Sequence, residues 1–213
     1  MKRCVIIGAS PETDIGFIRE SVKDDDFVVC ADGGYVYALN AGLKPALVIG
    51  DFDSSKYPQD VDCEIIRLPV MKDDTDTMSC IRVCLSRGYR DFLLLGMNGG
   101  RGDHTFANYS ALLFIANNGA QGIMSERDGF ASVIKAGEQG ASLEIINKKC
   151  SGFAVFPFGC EKCTVSLKGF LYEAEEKILE ADFPVGVSNT VVSDSAAVQV
   201  HEGSALIMVY AAK

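Results

Sequence analysis

The chain has 213 residues, 48% of them apolar and 23% charged, enough to bury the core of one large domain or two small ones. Its net charge of −9 repels phosphate backbones and anionic lipid, which argues against nucleic acid and membrane surfaces as partners. No run approaches the ~18 apolar residues of a membrane span.

The apolar run after Met1-Lys2-Arg3 is too short for a signal-peptide core, so a cytoplasmic location is expected. Eight cysteines do not read as a disulfide framework. Cys4, Cys30, Cys80 and Cys84 sit within apolar runs or a helical pattern, where a reducing compartment makes them small buried hydrophobes. Cys160-Glu161-Lys162-Cys163 has metal-ligand spacing but neither a second pair nor a nearby histidine to complete a zinc site, so it reads as a turn with two thiols.

In chain order, short apolar runs predict strands over 3–8, 27–30, 46–49, 64–68, 92–95 and 122–125. Helical patterns fall between them, over 15–22, 35–41, 77–86 and 105–117, with Gly42 and Gly88 as stop signals. Near-continuous apolar strands alternating with helices predict a three-layer α/β domain around a parallel sheet, of Rossmann-like type. Beyond about residue 127 the pattern changes. Short stretches at 132–134, 142–146, 153–156, 164–167, 197–200 and 205–210, separated by turn residues, predict a smaller antiparallel β-sandwich. The seam falls within 126–140, giving expected domains of 1–126 and 127–213.

In an open parallel sheet, ligands bind outside the carboxyl ends of the strands, so loops distant in sequence converge there. Four such loops carry chemistry. Ala31-Asp32-Gly33-Gly34 offers backbone N–H groups to an anion, or is a tight turn with Asp32 as a helix cap. Gly50-Asp51-Phe52-Asp53-Ser54 sets two carboxylates one residue apart, an arrangement that repels itself unless a cation such as Mg²⁺ lies between them. In Lys72-Asp73-Asp74-Thr75-Asp76, capping and the helix dipole explain one or two aspartates, but not three together with a lysine. There Asp74 or Asp76 could bind metal or take a proton, and Lys72 could meet a phosphate. Gly96-Met97-Asn98-Gly99-Gly100-Arg101-Gly102-Asp103-His104, followed by Asn108, combines a backbone-lined loop with a planar guanidinium. Its Asp103 could equally be a helix cap, and His104 a core or capping histidine. Gathered at one sheet edge, these acids and one arginine fit a magnesium–nucleotide site for phosphoryl chemistry.

The series Asp32-Gly33-Gly34, Asp51-Phe52-Asp53, Asp74-Thr75-Asp76 and Gly99-Gly100-Arg101-Gly102-Asp103-His104 with Asn108 resembles the motifs of the thiamine pyrophosphokinase family. So does Ser188-Asn189 near the C-terminus, although Thr190 stands where that family carries Glu. The resemblance covers nearly the whole chain. It implies an N-terminal domain that binds ATP and Mg²⁺, a C-terminal β-sandwich, and a homodimer with active sites at the subunit interface. It further implies that Asp51, Asp53 and Asp76 hold metal and phosphates. Asp32, Gly33, Gly34, Lys72, Asp74, Arg101, Asp103, His104 and Asn108 would line the nucleotide side, and Ser188 and Asn189 would contact thiamine. The chain contains no tryptophan, so a ring stacked on thiamine has to be Phe or Tyr, with Phe170 and Tyr172 as candidates.

The reaction expected is in-line attack of the thiamine hydroxyl on the β-phosphorus of ATP, with AMP leaving and Asp76 or Asp103 as the base. The rivals are an aspartyl-nucleophile phosphatase, suggested by Asp51-Phe52-Asp53, a pyrophosphokinase for another alcohol such as a pterin, and a sensor that binds thiamine or nucleotide without turnover.

Overall fold

The computed structural model describes residues 2–53, 61–71, 73–137, 141–146 and 151–211. The chain divides into two compact units, Met1–Arg127 and Asp128–Lys213.

The first unit runs β1 (Cys4–Ile7), α1 (Ile15–Ser21), β2 (Phe27–Ala31), α2 (Gly34–Asn40), β3 (Leu47–Gly50), β4 (Glu64–Arg67), α3 (Asp76–Ser86), β5 (Asp91–Leu95), α4 (Gly102–Asn117) and β6 (Gln121–Glu126). Its strands lie parallel in the order β4-β3-β2-β1-β5-β6. β1 and β3 are buried along their whole length because both faces of the sheet are covered. Alternate strand residues, including Val5, Ile7, Val28, Cys30, Leu93 and Leu95, pack with Ile18 of α1 and Ala38 of α2. α3 and α4 pack on each other and against the strands, with Cys80, Ile81 and Cys84 of α3 and Leu112 and Ile115 of α4 all buried.

The strand order explains the two helix pairs. The chain steps outward from β1 to β4, then returns to place β5 on the other side of β1. Right-handed crossovers running in opposite directions put their helices on opposite faces. The reversal leaves a crevice beyond the carboxyl ends of β1 and β5, the position where doubly wound sheets bind ligands.

α2 docks closely at this edge. A Cβ on Gly34 would lie 2.1 Å from the Ile7 carbonyl oxygen. Backbone cannot give way as a side chain can, so Gly34→Ala is expected to cost about 3 kcal/mol and lower Tm by about 6 °C or more. Calorimetric melting checks this. Gly34 is thus required for packing, whatever its ligand role.

The second unit comprises β7 (Gly129–Lys135), β8 (Ala141–Ile146), β9 (Gly152–Pro157), β10 (Lys162–Lys168), β11 (Ala174–Glu180), β12 (Asn189–Thr190), β13 (Ser195–Glu202) and β14 (Ser204–Tyr210). Its strands form two antiparallel sets, β12-β9-β14-β7 and β11-β10-β13-β8. Between them lies one apolar core. Phe153, Val155, Ile207 and Val209 face it from one set, and Val165, Leu167, Val198 and Val200 from the other. Cys163 is buried in this core, and burial pushes its thiol up to about 11. Cys160 donates to the Ser204 carbonyl at 3.3 Å, so both thiols of the pair are engaged within this unit.

Candidate active site

The loops after β1, β2, β3 and β5 and the starts of α3 and α4 line a cleft of about 740 Å³ at the crevice of the first unit. β2 and β3 are each followed by a non-glycine residue with left-handed backbone, Asp32 at φ 43° and Phe52 at φ 57°. Such conformations cost roughly 1–3 kcal/mol and persist where the surroundings enforce them. One enforcing contact is visible: a Cβ on Gly50 would lie 2.8 Å from Asp32 Cα, so glycine lets the two turns nest together. The result brings Asp32, Asp51 and Asp53 to the cleft, and Asp76 reaches it from the first turn of α3. The Asp53 N–H donates to Asp51 Oδ1 at 3.2 Å, which fixes the spacing of that pair.

α3 is capped by Thr75, whose hydroxyl accepts from Met78 N at 3.2 Å, so none of the neighbouring aspartates is the cap. Asp74 turns away to ion-pair with Arg82 at 2.5 Å and lines a different groove. Lys72 and Ser54 lie outside the described residues. The cap position of α2 is Gly33, not Asp32.

Arg101, His104 and Asn108 also line the cleft. Arg101 and Asp103 form a two-pronged ion pair at 2.5 and 3.1 Å, with both side chains about two-thirds exposed. The guanidinium holds the Asp103 carboxyl below the usual carboxylate range, and Asp103 does not line the cleft. An exposed pair of this kind is weak enough for a triphosphate to displace the carboxylate. Asn108 donates to the Met97 carbonyl at 2.8 Å, which ties α4 to the glycine-rich loop.

The cleft is also walled by Gly8, Ser10 and Pro11, after β1. Sequence reading missed this segment because it holds no charged residue in its first four positions. The strand-end rule applied to β1 was the signal that would have found it.

The second unit has its own hollow of about 530 Å³, with Val155, Val165 and Leu167 as apolar lining and Tyr172, Glu173 and Glu175 among its polar groups. Tyr172 is 66% exposed, whereas Phe170 is buried against Phe153 with ring centroids 4.2 Å apart. Of the two aromatics weighed for thiamine, only Tyr172 offers a ring face to a ligand. Asn189 also borders the hollow, but its amide is engaged: Oδ1 accepts from Tyr172 N and Thr190 N, and Nδ2 donates to Tyr172 O. Ser188 is exposed, with left-handed backbone at φ 59°.

The two units correspond to two matched domains. Residues 18–124 match the thiamin pyrophosphokinase catalytic domain, and residues 143–207 match the thiamin pyrophosphokinase vitamin B1 binding domain. The chain belongs to the thiamin pyrophosphokinase family. Thiamin pyrophosphokinase 1 of Caenorhabditis elegans is 26% identical over 206 residues, covering 89% of this chain and 82% of that protein. The thiamine pyrophosphokinase structure from Bacillus subtilis matches with a TM-score of 0.86 at 18% identity over 99% of each chain. That from Geobacillus thermodenitrificans matches with a TM-score of 0.81 at 24% identity, over 98% of this chain and 97% of that one. At such identities the structural likeness speaks for the fold. Family membership carries the activity: this is an enzyme that transfers diphosphate from ATP to thiamine. The resemblance drawn from the aspartate motifs is borne out.

Proposed function

We propose that the first unit, a Rossmann-like nucleotide domain, binds ATP with Mg²⁺ in its cleft, and that the second unit holds thiamine in the hollow beside Tyr172. The observation that carries this reading is the convergence of Asp32, Asp51, Asp53 and Asp76 with Arg101 on one cleft. Four carboxylates around one cleft make a poor home for a naked triphosphate and a good one for a triphosphate that arrives with a hard cation. Among the described residues no three carboxylate, histidine or cysteine groups close on one point. Asp51 and Asp53, with Asp76 nearby, would therefore supply only part of a Mg²⁺ shell, as suits an ion that retains water and shares phosphate oxygens. When bound, that ion neutralises charge on the transferring group.

The chain's own residues do the rest. Arg101 exchanges Asp103 for phosphate oxygens. His104 and Asn108 flank the nucleotide beside the glycine-rich loop. The primary hydroxyl of thiamine attacks the β-phosphorus in line. The bond from that phosphorus to the α,β-bridging oxygen breaks, and AMP departs with the electron pair. Of the two carboxylates weighed as base, Asp76 lines the cleft and Asp103 does not, so Asp76 receives the hydroxyl proton. Positioning and electrostatics supply the rate.

Thiamine is a cation, and Glu173 and Glu175 outnumber Lys177 among the charged groups at the hollow, which favours it. Around this region Leu171, Tyr172, Phe183, Val185, Val187 and Val192 are all exposed by 45% or more. That much uncovered apolar surface supports a homodimer with its active sites at the subunit interface. A cytoplasmic location accords with the unpaired thiols among the described residues and with the lack of any described helix long and apolar enough to cross a membrane.

The test is AMP release from ATP and Mg²⁺ with and without thiamine. Thiamine-dependent AMP in equal amount to thiamine diphosphate is expected. Inorganic phosphate without AMP would point to the phosphatase rival, and binding of both ligands without product would point to a sensor.

A further inference from the structure

Ala174 and Lys177 both line the hollow of the second unit, although an odd number of positions separates them. A regular strand points such residues to opposite faces. The pairing of β11 with β10 explains the exception. Val165 lies opposite Lys177 but Leu167 lies opposite Ala174, so Glu175 and Glu176 together face Ser166 alone. This β-bulge decides which residues of β11 meet the hollow. A second irregularity lies on the other side of β10. There Thr164 pairs with Glu202 and Val165 with Val200, which leaves His201 as the extra residue of β13.

One side chain joins the two bulges. A bulge takes a backbone N–H out of the ladder, and that N–H then needs another acceptor. The Glu176 N–H finds it in the Ser166 hydroxyl oxygen at 3.0 Å. The same oxygen shares a hydrogen bond of 2.8 Å with His201 Nε2. Glu176 also has left-handed backbone, at φ 45°, a conformation that a residue with a side chain keeps only where its surroundings enforce it. Val165 and Leu167, on either side of Ser166, face the core, so the serine points to the other face of its sheet, where it is half-buried with His201. Neither residue lines the hollow. Their effect on it runs through the backbone of β11.

We propose that Ser166 is a positioning residue for thiamine binding: its hydroxyl, steadied by His201, holds the β11 bulge so that Glu173, Ala174 and Glu175 meet the hollow together. This rests on the reading of that hollow as the thiamine site. A bulge that slips by one residue turns the side chains beyond it to the other face, and the turn carrying Tyr172 lies directly beyond it. Threonine at 166 keeps the hydroxyl and suits a strand. Alanine removes the acceptor and leaves the Glu176 N–H to water. The hydroxyl, and not the size of the side chain, is therefore what the variants compare.

The experiment measures KM for thiamine and for ATP, calorimetric binding of thiamine, and melting temperature. The proteins are the wild type, Ser166→Ala, Ser166→Thr, His201→Leu, the double variant Ser166→Ala with His201→Leu, and Tyr172→Ala. Ser166→Ala is expected to weaken thiamine binding and raise KM for thiamine about fivefold, with KM for ATP within about twofold of wild type. Ser166→Thr is expected to stay near wild type. His201→Leu is expected to raise KM for thiamine by less than Ser166→Ala, and the double variant to be no worse than Ser166→Ala, because the histidine acts through the serine. If Ser166→Ala does not fold, Ser166→Cys takes its place, with a weaker acceptor at a similar reach. Wild-type thiamine binding by Ser166→Ala, with Tyr172→Ala weakened, overturns the role of Ser166 and leaves the hollow reading standing. Wild-type binding by both overturns the hollow reading and the proposal with it. A Ser166→Thr variant as weak as Ala, or a rise in KM for ATP equal to that for thiamine, also overturns the proposal.

Discussion

Asp51→Ala and Asp53→Ala are each expected to lower kcat by about a thousandfold or more while leaving the protein folded. Neither side chain belongs to the core: Asp53 is exposed and Asp51 half-buried at the mouth of the cleft. The loss to stability is therefore small for Asp53, within roughly 0.5 kcal/mol, as for most exposed sites. It is about 1 kcal/mol for Asp51, which accepts the Asp53 N–H at 3.2 Å. On the proposed reading of the cleft, the loss to catalysis is large because the triphosphate would bring several negative charges among carboxylates, and the cation that reconciles them would need these oxygens. The check is a magnesium titration of activity beside a melting curve. Wild-type turnover with unchanged Mg²⁺ dependence in either variant would remove that residue from the metal assignment. A folded but inactive variant whose activity returns at high Mg²⁺ would show that the lost group acts through cation affinity.

Much of this was legible in the sequence because the physics is local. The buried strands of the first unit are continuous apolar runs, since both faces are covered, and their ends are marked by glycine and aspartate. The loops follow from the rule that parallel sheets bind ligands at the carboxyl ends, so Asp32, Asp51, Asp53, Asp76 and Arg101 could be grouped before any coordinates existed. Two strands escaped. Ala174–Glu180 reads as a charged, helix-prone segment and is a strand only because it pairs with Lys162–Lys168 at an edge, with Leu179 its one buried side chain. Asn189–Thr190 is too short to leave a pattern.

Side-chain direction was not legible at all. Asp74 and Asp76 are two residues apart, but one pairs with Arg82 and the other faces the cleft. Helix geometry separates them, because Thr75 caps α3 and Asp76 begins it. Phe170 and Tyr172 are likewise two residues apart, and only the fold shows that Phe170 is core while Tyr172 is exposed.

Asn189 is where the second large effect is expected. Its side chain is 7% exposed and makes three hydrogen bonds, two of them to the N–H and carbonyl of Tyr172 at 3.0 and 2.8 Å. Asn189→Ala leaves both backbone groups without that partner, which costs about 1–3 kcal/mol and frees the turn that carries Tyr172. If Tyr172 stacks on thiamine, KM for thiamine should rise about tenfold or more, while KM for ATP stays near wild type, because the nucleotide cleft shares no residue with this turn. Asn189→Asp separates the two halves of the amide. It retains an acceptor for the Tyr172 N–H but sets an oxygen against the Tyr172 carbonyl, so it should be as defective as Ala or worse. A drop in Tm with no change in KM for thiamine would make Asn189 a structural clamp only, and Tyr172→Ala would then be expected to leave thiamine binding intact as well. Raised KM for thiamine in both Asn189→Ala and Tyr172→Ala, with no further loss in the double variant, would mean that the asparagine acts through the tyrosine.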